Sequence, residues 1–347
     1  MTSEKMKRFN VLERILNNST VGFLPSSDTL SATLLSRLAY NIDLTQTQYD
    51  RARSAYESVS AVLAADARWP LKRSTVFPQG SFALGTVVKP VDESADGFDV
   101  DVVCRLAATV AMPPAQAKAL IGSCLVADGR YADKLEEKSR CWRLTYAGEF
   151  HLDLAPLVAN DAGGDWIPDR ELRRWIATHP AAFAAWFNRL ADLAQTQRLV
   201  EGKVLAADIA PFPADPAQRG WLRRLVQLLK RHRCIWKETL PSTRREYAPI
   251  SIIIPTLATY AFARVHDTGR FANPLDLLRA IVVAMPNFIE QRVNAQGALE
   301  WWVPSPVANE NFANRWNQAH EWAETFGAWH RNLVSLFDKL ESAEGID

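Results

Sequence analysis

The 347-residue chain predicts an α+β protein in two lobes, and three observations lead there. Helical periodicity fills residues 27–68, strand-like runs occupy 75–160, and helical periodicity returns for the rest of the chain. The mixed segment contains a Gly80-Ser81 turn followed by two carboxylates, Asp99 and Asp101, one residue apart. The Pro-rich stretch Pro211-Phe212-Pro213-Ala214-Asp215-Pro216 is the best linker. The expected organisation is therefore N-terminal helices with a long spine helix over 1–70, an α/β core over 71–205, and a helical domain over 206–347.

In the spine helix, Tyr49, Ala52, Tyr56, Val59 and Leu63 follow three-to-four spacing, and Asp43 with Gln46 suggests a capping box. Trp69-Pro70 should end this helix, because a residue before proline is pushed out of the α region. Strands are expected at Thr86–Val91, Phe98–Leu106, Cys141–Tyr146 and Glu149–Leu154, with Ala147-Gly148 as a hairpin turn and Ala115–Val126 as an intervening helix. Helices are expected at His179–Gln197, Trp221–Lys237, Ser251–Val265, Pro274–Ile289 and Glu310–Leu340. Most of the 12 tryptophans fall at or after Trp175, where such residues serve as core anchors.

Composition excludes several classes. A hydrophobic share of 48%, a charged share of 23% and a formal net charge of +1 describe a globular protein without a global field toward nucleic acid or membrane. Cys104, Cys124, Cys141 and Cys234 have neither C-x-x-C nor zinc-ligand spacing and read as reduced core thiols. No signal-peptide pattern is present, and the longest apolar run, residues 250–263, is too short for a bilayer and interrupted by Pro255. A cytoplasmic location is expected.

The chemistry is concentrated in the mixed segment. Residues two apart on a strand share a face, so Asp99 and Asp101 project together while Val100 and Val102 enter the core. Carboxylates about 6.5 Å apart repel by roughly 2–3 kcal/mol at an effective dielectric near 20, a cost that a cation such as Mg²⁺ removes. Alternation in Phe150-His151-Leu152-Asp153-Leu154 places Asp153 on the polar face of a second strand. Three carboxylates suit two-metal phosphoryl transfer. Gly80-Ser81, tightened by Gly85 and Thr86, offers backbone N–H groups and a hydroxyl to a phosphate, and Gln79 abuts that turn. Arg140 and Arg143 read as exposed strand charges with a secondary capacity to stack on a base. His151 reads as a satisfied supporting histidine rather than a general base.

Gly80-Ser81, Asp99-x-Asp101 and Asp153 resemble the DNA polymerase β-like nucleotidyltransferase superfamily. The strings FPQGSFALGTVVKP, FDVDVVCRL, FHLDLAPLV, WIPDRELRRWIATHPAAFAAWF and ENFANRW are similar to the CD-NTases, bacterial relatives of cyclic GMP–AMP synthase, over about residues 40–330. The resemblance implies a bilobal nucleotidyltransferase core with a helical domain completing the nucleotide pocket, and an active site in the cleft between them. It further implies two Mg²⁺ ions, with Mn²⁺ as a substitute, and a cyclic di- or trinucleotide made from ribonucleoside triphosphates such as ATP and GTP. In the antiphage systems called CBASS, that product acts on a downstream effector. Lys230 and Ser251 match the positions that hold the donor triphosphate.

The resemblance implies neither a membrane nor a stable nucleic-acid partner. No zinc-binding loop or long basic surface like that of the animal DNA sensor is present. The polar tail Glu341–Asp347 suggests a flexible end for a CBASS accessory protein. Other acceptors stay open at this point: a linear oligoadenylate, RNA or a small molecule, and beyond them a non-catalytic nucleotide-binding module. The bases joined, the linkage and the ring size are not encoded in these motifs.

Overall fold

The computed structural model describes residues 38, 41–66, 75–91, 97–146, 148–161, 163–169, 171–192, 220–269, 271 and 274–344. The linker at 211–216, the expected boundary near 205, and Trp69-Pro70 lie outside them. The spine helix α1 spans Gln46–Ala65 and buries Tyr49, Ala52, Tyr56, Val59 and Leu63, as its spacing requires. Its capping box is not the expected Asp43 and Gln46. Thr45 accepts from the Gln48 backbone N–H at 3.2 Å, and the Gln48 side chain accepts from the Thr45 N–H at 2.9 Å. Asp43 is drawn away to pair with Arg224.

The sheet contains β1 (Thr75–Pro78), β2 (Phe98–Leu106), β3 (Leu135–Glu137), β4 (Trp142–Tyr146), β5 (Phe150–Ala159), β6 (Asp165–Pro168) and β7 (Trp175–Thr178). Its main order is β1-β2-β5-β4-β3, with β6 pairing the end of β5 and β7 pairing β6. Only the β2–β5 pair among these is parallel. Val100, Val102, Leu152 and Leu154 bury one face against α1 and α3 (Pro114–Asp128), and Phe98 stacks on Phe150 at 5.4 Å. β4 and β5 form the expected antiparallel hairpin, although Ala147 of its turn lies outside the described residues.

The expected strand at Thr86–Val91 does not form, for a reason visible in its hydrogen bonds. Its carbonyls are taken by one helix, α5 (Trp221–Thr239), instead of by a neighbouring strand. Lys230 donates to Thr86 O at 3.0 Å, Gln227 to Val87 O at 2.8 Å, and Arg231 to Lys89 O at 3.0 Å and Pro90 O at 3.2 Å. Arg223, buried at 7% exposure, donates to Leu84 O and pairs with Asp192, while Arg224 makes two bonds to Asp43. Arg233 donates to Pro249 O. The basic face of α5 therefore bolts the lobes together, mostly through charged donors to part-buried acceptors, which are stronger than neutral ones.

The second lobe packs α4 (Pro180–Asp192), α5, α6 (Ile253–Thr268), α7 (Pro274–Ala284) and α8 (Glu321–Glu344) around Leu225, Leu229, Leu257, Phe262, Leu278 and Trp329. Phe183, Trp186, Phe187 and Leu190 of α4 join this core, as does Leu84. Helix α7 stops at Ala284, and a 3₁₀ turn with Pro286 replaces the expected continuation to Ile289. The expected helix from Glu310 begins only at Glu321. Asn311 instead accepts from the N–H groups of Val303 and Ala313 and donates to Trp301 O, competing with helical bonding. This asparagine holds the hairpin strand β9 (Leu299–Trp302), which pairs β8 (Glu290–Val293). At the tail, residues 341–344 continue α8 and 345–347 lie outside the described residues.

The thiols of Cys104 and Cys124 are buried, and those of Cys141 and Cys234 are half-buried. Among the described residues no helix is long and apolar enough to cross a membrane.

Candidate active site

Residues from both lobes line a cavity of about 510 Å³. Gln79, Gly80 and Ser81 enter it from one side, with Asp99 and Asp101 beside them. Lys230 and Ser251 enter from the helical lobe. Segments separated by as much as 172 residues thus meet as expected, and the short elements between them explain how.

Gln79 leaves β1 with its N–H bonded to Asp101 O at 2.8 Å, tying the turn to the neighbouring strand. The chain then enters a five-residue helix, α2 (Gly80–Leu84), rather than an open turn. Gly85 ends α2 in the left-handed region, and Thr86 N–H closes back on Ser81 O at 2.8 Å. Gly80 itself has φ +61°, and a Cβ there would lie 2.2 Å from Asp101 Oδ2. Only glycine lets this backbone approach the carboxylate so closely.

Parallel register sets Asp101 directly opposite Asp153, and Asp99 opposite His151. The Asp99 side chain faces the opening at 58% exposure, whereas Asp101 is deeper. Burial first, then repulsion from Asp99 and Asp153, pushes the Asp101 carboxyl up to about 7. The Asp99 carboxyl is also raised by desolvation, against the opposing pull of Arg143. Burial lowers the Lys230 ammonium to about 8, with Asp101 and Asp99 resisting that shift.

Asp153 does not line the cavity. It is held beside Asp101 by Arg143, its cross-strand neighbour on β4. Arg143 donates to both Asp153 oxygens, at 2.7 and 2.8 Å, and to Asp99 at 3.1 Å. The exposed-charge reading of Arg143 is therefore wrong: the residue is a clamp, 23% exposed, and bonding to Asp153 raises its own pKa further. Arg143→Met is expected to lower the melting temperature of the protein in EDTA by the equivalent of about 1–3 kcal/mol, because three crowded carboxylates lose their counter-charge. Differential scanning fluorimetry checks this, and an unchanged Tm would make the clamp no better than an exposed ion pair. His151 is likewise not the satisfied histidine expected, since its buried Nδ1 has no hydrogen-bond partner among the described residues.

With Arg143 in this position, no group of three or more His, Cys, Asp or Glu side chains among the described residues is closed around one point as a metal cage. The donors nonetheless suit Mg²⁺, which binds one or two carboxylates and completes its shell with water and substrate phosphates. Asp99 and Asp101 supply hard oxygens at a cavity wall, and the raised Asp101 carboxyl is one whose ionisation a cation would favour.

Residues 29–190 match SMODS, the Second Messenger Oligonucleotide or Dinucleotide Synthetase domain. That match covers a little under half of the chain and includes Gly80-Ser81, Asp99, Asp101 and Asp153. A c-di-GMP synthase of Roseivirga ehrenbergii is 28% identical to this chain over 319 residues, covering 90% of the chain and 80% of that protein. CdnG of Bradyrhizobium diazoefficiens, solved in complex with GTP, superimposes with a TM-score of 0.67 at 23% identity, covering 93% of this chain and 94% of that one. CdnC of E. coli MS115-1, solved with ATP, gives a TM-score of 0.59 at 15% identity over 88% and 91% of the two chains. The chain thus shares the fold of these solved structures, the α+β nucleotidyltransferase fold expected from the motifs.

Proposed function

We propose that this chain is a Mg²⁺-dependent nucleotidyltransferase that joins two ribonucleoside triphosphates into a cyclic dinucleotide. The observation that carries the reading is the single cavity uniting Gly80-Ser81, Asp99-x-Asp101, Lys230 and Ser251 from both lobes. The SMODS match and the relatives named as cyclic dinucleotide synthases support it. A relative named for c-di-GMP and another bound to GTP favour a guanine nucleotide among the substrates.

In this reading, Asp99 and Asp101 would hold Mg²⁺, and Asp153 would become a third ligand once Arg143 releases its oxygens. Bound there, the metal lowers the cost of charge developing on the attacking and leaving oxygens. The Gly80-Ser81 turn and Gln79 position the triphosphate, and Lys230 and Ser251 hold its outer phosphates. A ribose hydroxyl of one nucleotide attacks the α-phosphorus of the other. An O–P bond forms, the bond to pyrophosphate breaks, and Asp153 helps take the hydroxyl proton. A second such step closes the ring and releases a second pyrophosphate. The product would signal to a downstream effector in antiphage defence.

The test is incubation of purified protein with each labelled ribonucleotide and with mixtures in Mg²⁺, followed by phosphatase and mass spectrometry. A phosphatase-resistant cyclic product, formed without RNA, is expected. Linear, phosphatase-sensitive oligomers would replace this reading with a template-independent transferase, and no product under any mixture would argue for nucleotide binding alone.

A further inference from the structure

The same cavity has a polar corner that the phosphoryl-transfer chemistry leaves unused. Glu310, on the loop after β9, and Arg140, just before β4, both line it. Thr178 and the positive charge of Arg140 both favour the ionised form of the Glu310 carboxylate. The loop carrying Glu310 is closed: Ser305 N–H bonds to Glu310 O at 2.9 Å, and Pro304 bridges to Asn311. Nearby, Phe183 and Phe312 meet edge to face at 5.8 Å and supply apolar wall. A half-buried carboxylate on a closed loop and a guanidinium thus line one nucleotide-sized cavity, an acceptor and a donor on its walls.

We infer that Glu310, with Arg140 beside it, reads the Watson–Crick edge of a guanine and selects guanine over adenine. This rests on the proposed use of the cavity by nucleotides. Guanine presents, in order, the O6 acceptor and the N1–H and N2–H donors. A guanidinium suits the first, and the two oxygens of a carboxylate suit the other two. Adenine reverses the pattern, setting its N1 lone pair against the carboxylate and its amino group against the arginine. Burial pushes the Glu310 carboxyl up to about 7, a desolvation cost that two N–H donors from a base would offset.

The test measures equilibrium binding of labelled GTP, ITP and ATP, separately from turnover. Wild type is expected to bind GTP about tenfold or more tighter than ITP, which lacks only the N2 amino group, and tighter still than ATP. Glu310→Gln replaces one acceptor oxygen with an amide N–H that opposes the guanine donors and suits the adenine N1 lone pair, and the GTP-to-ATP affinity ratio is expected to fall by about 10- to 100-fold. Glu310→Asp should keep the preference with weaker binding. Equal binding of GTP and ITP by wild type, or an unchanged ratio in Glu310→Gln, overturns the inference. The ITP comparison needs no variant and decides the matter even if Glu310→Gln fails to fold. Guanine-selective binding without any cyclic product would sink the proposed reaction while leaving this assignment standing, and cyclic product with no Glu310 effect would do the reverse.

Discussion

Asp101→Asn is expected to lower product formation on the order of a thousandfold while raising the stability of the metal-free protein. Both effects have one origin. The carboxyl is buried against Asp99 and Asp153 and pushed up to about 7 from its ordinary 3.8, so its charged form is disfavoured whenever no cation is bound. A raised carboxyl adds stability below its unfolded value and loses it as pH rises through the folded value. Metal-free wild type should therefore lose stability between about pH 4 and pH 7, and Asp101→Asn should remove most of that slope. Discounting for partial solvent screening, the gain at pH 8 is about 1–2 kcal/mol, a few degrees in Tm. Thermal unfolding in EDTA across this pH range, beside the product assay, checks both halves. Undiminished product from the variant would remove Asp101 from the proposed metal site.

Gly80→Ala is the second large effect, and it separates aim from stability. The added Cβ would lie 2.2 Å from Asp101 Oδ2 and 3.1 Å from its Cγ, on a residue at φ +61°. The carboxylate can rotate away, so the clash itself is relieved cheaply and the lasting stability cost is backbone strain, about 1 kcal/mol. Rotation, however, turns the carboxylate from the position proposed for the metal, and misplacement of about 1 Å costs on the order of 100-fold in rate. Gly129→Ala is the control, since Gly129 has φ +79° but no atom near the added Cβ. Similar Tm losses with activity lost only in Gly80→Ala are expected from kinetics and scanning fluorimetry. Equal activity losses in both would mean that general strain, not the Gly80–Asp101 approach, matters.

Asp99, Asp101 and Asp153 were legible because strand parity is a local property: a two-residue repeat dictates which side chains share a face. Arg143 was not legible. Its role depends on β4 pairing β5 in the register that sets it opposite Asp153, and a one-residue slip would have turned it to the other face. Glu310 escaped notice because it was assigned to a helix start, whereas Asn311 diverts the backbone into a closed loop. The partners of the α5 arginines were equally hidden, because they lie far away in the chain. Arg223 and Arg231 meet backbone carbonyls of the 84–90 segment, which is also why that segment is not a strand, whereas Arg224 meets Asp43 and Arg233 meets Pro249 O.

By itself, the amino-acid sequence determined the spine helix, the central strands and the carboxylate positions along them, since each follows from short-range periodicity. Tertiary structure decided what those groups face. Parallel register brought Asp101 to Asp153, the close approach of α2 made Gly80 irreplaceable, and the joining of two lobes placed Lys230, Ser251 and Glu310 around one cavity. Such juxtapositions depend on contacts between segments far apart in the chain, and no local pattern encodes them.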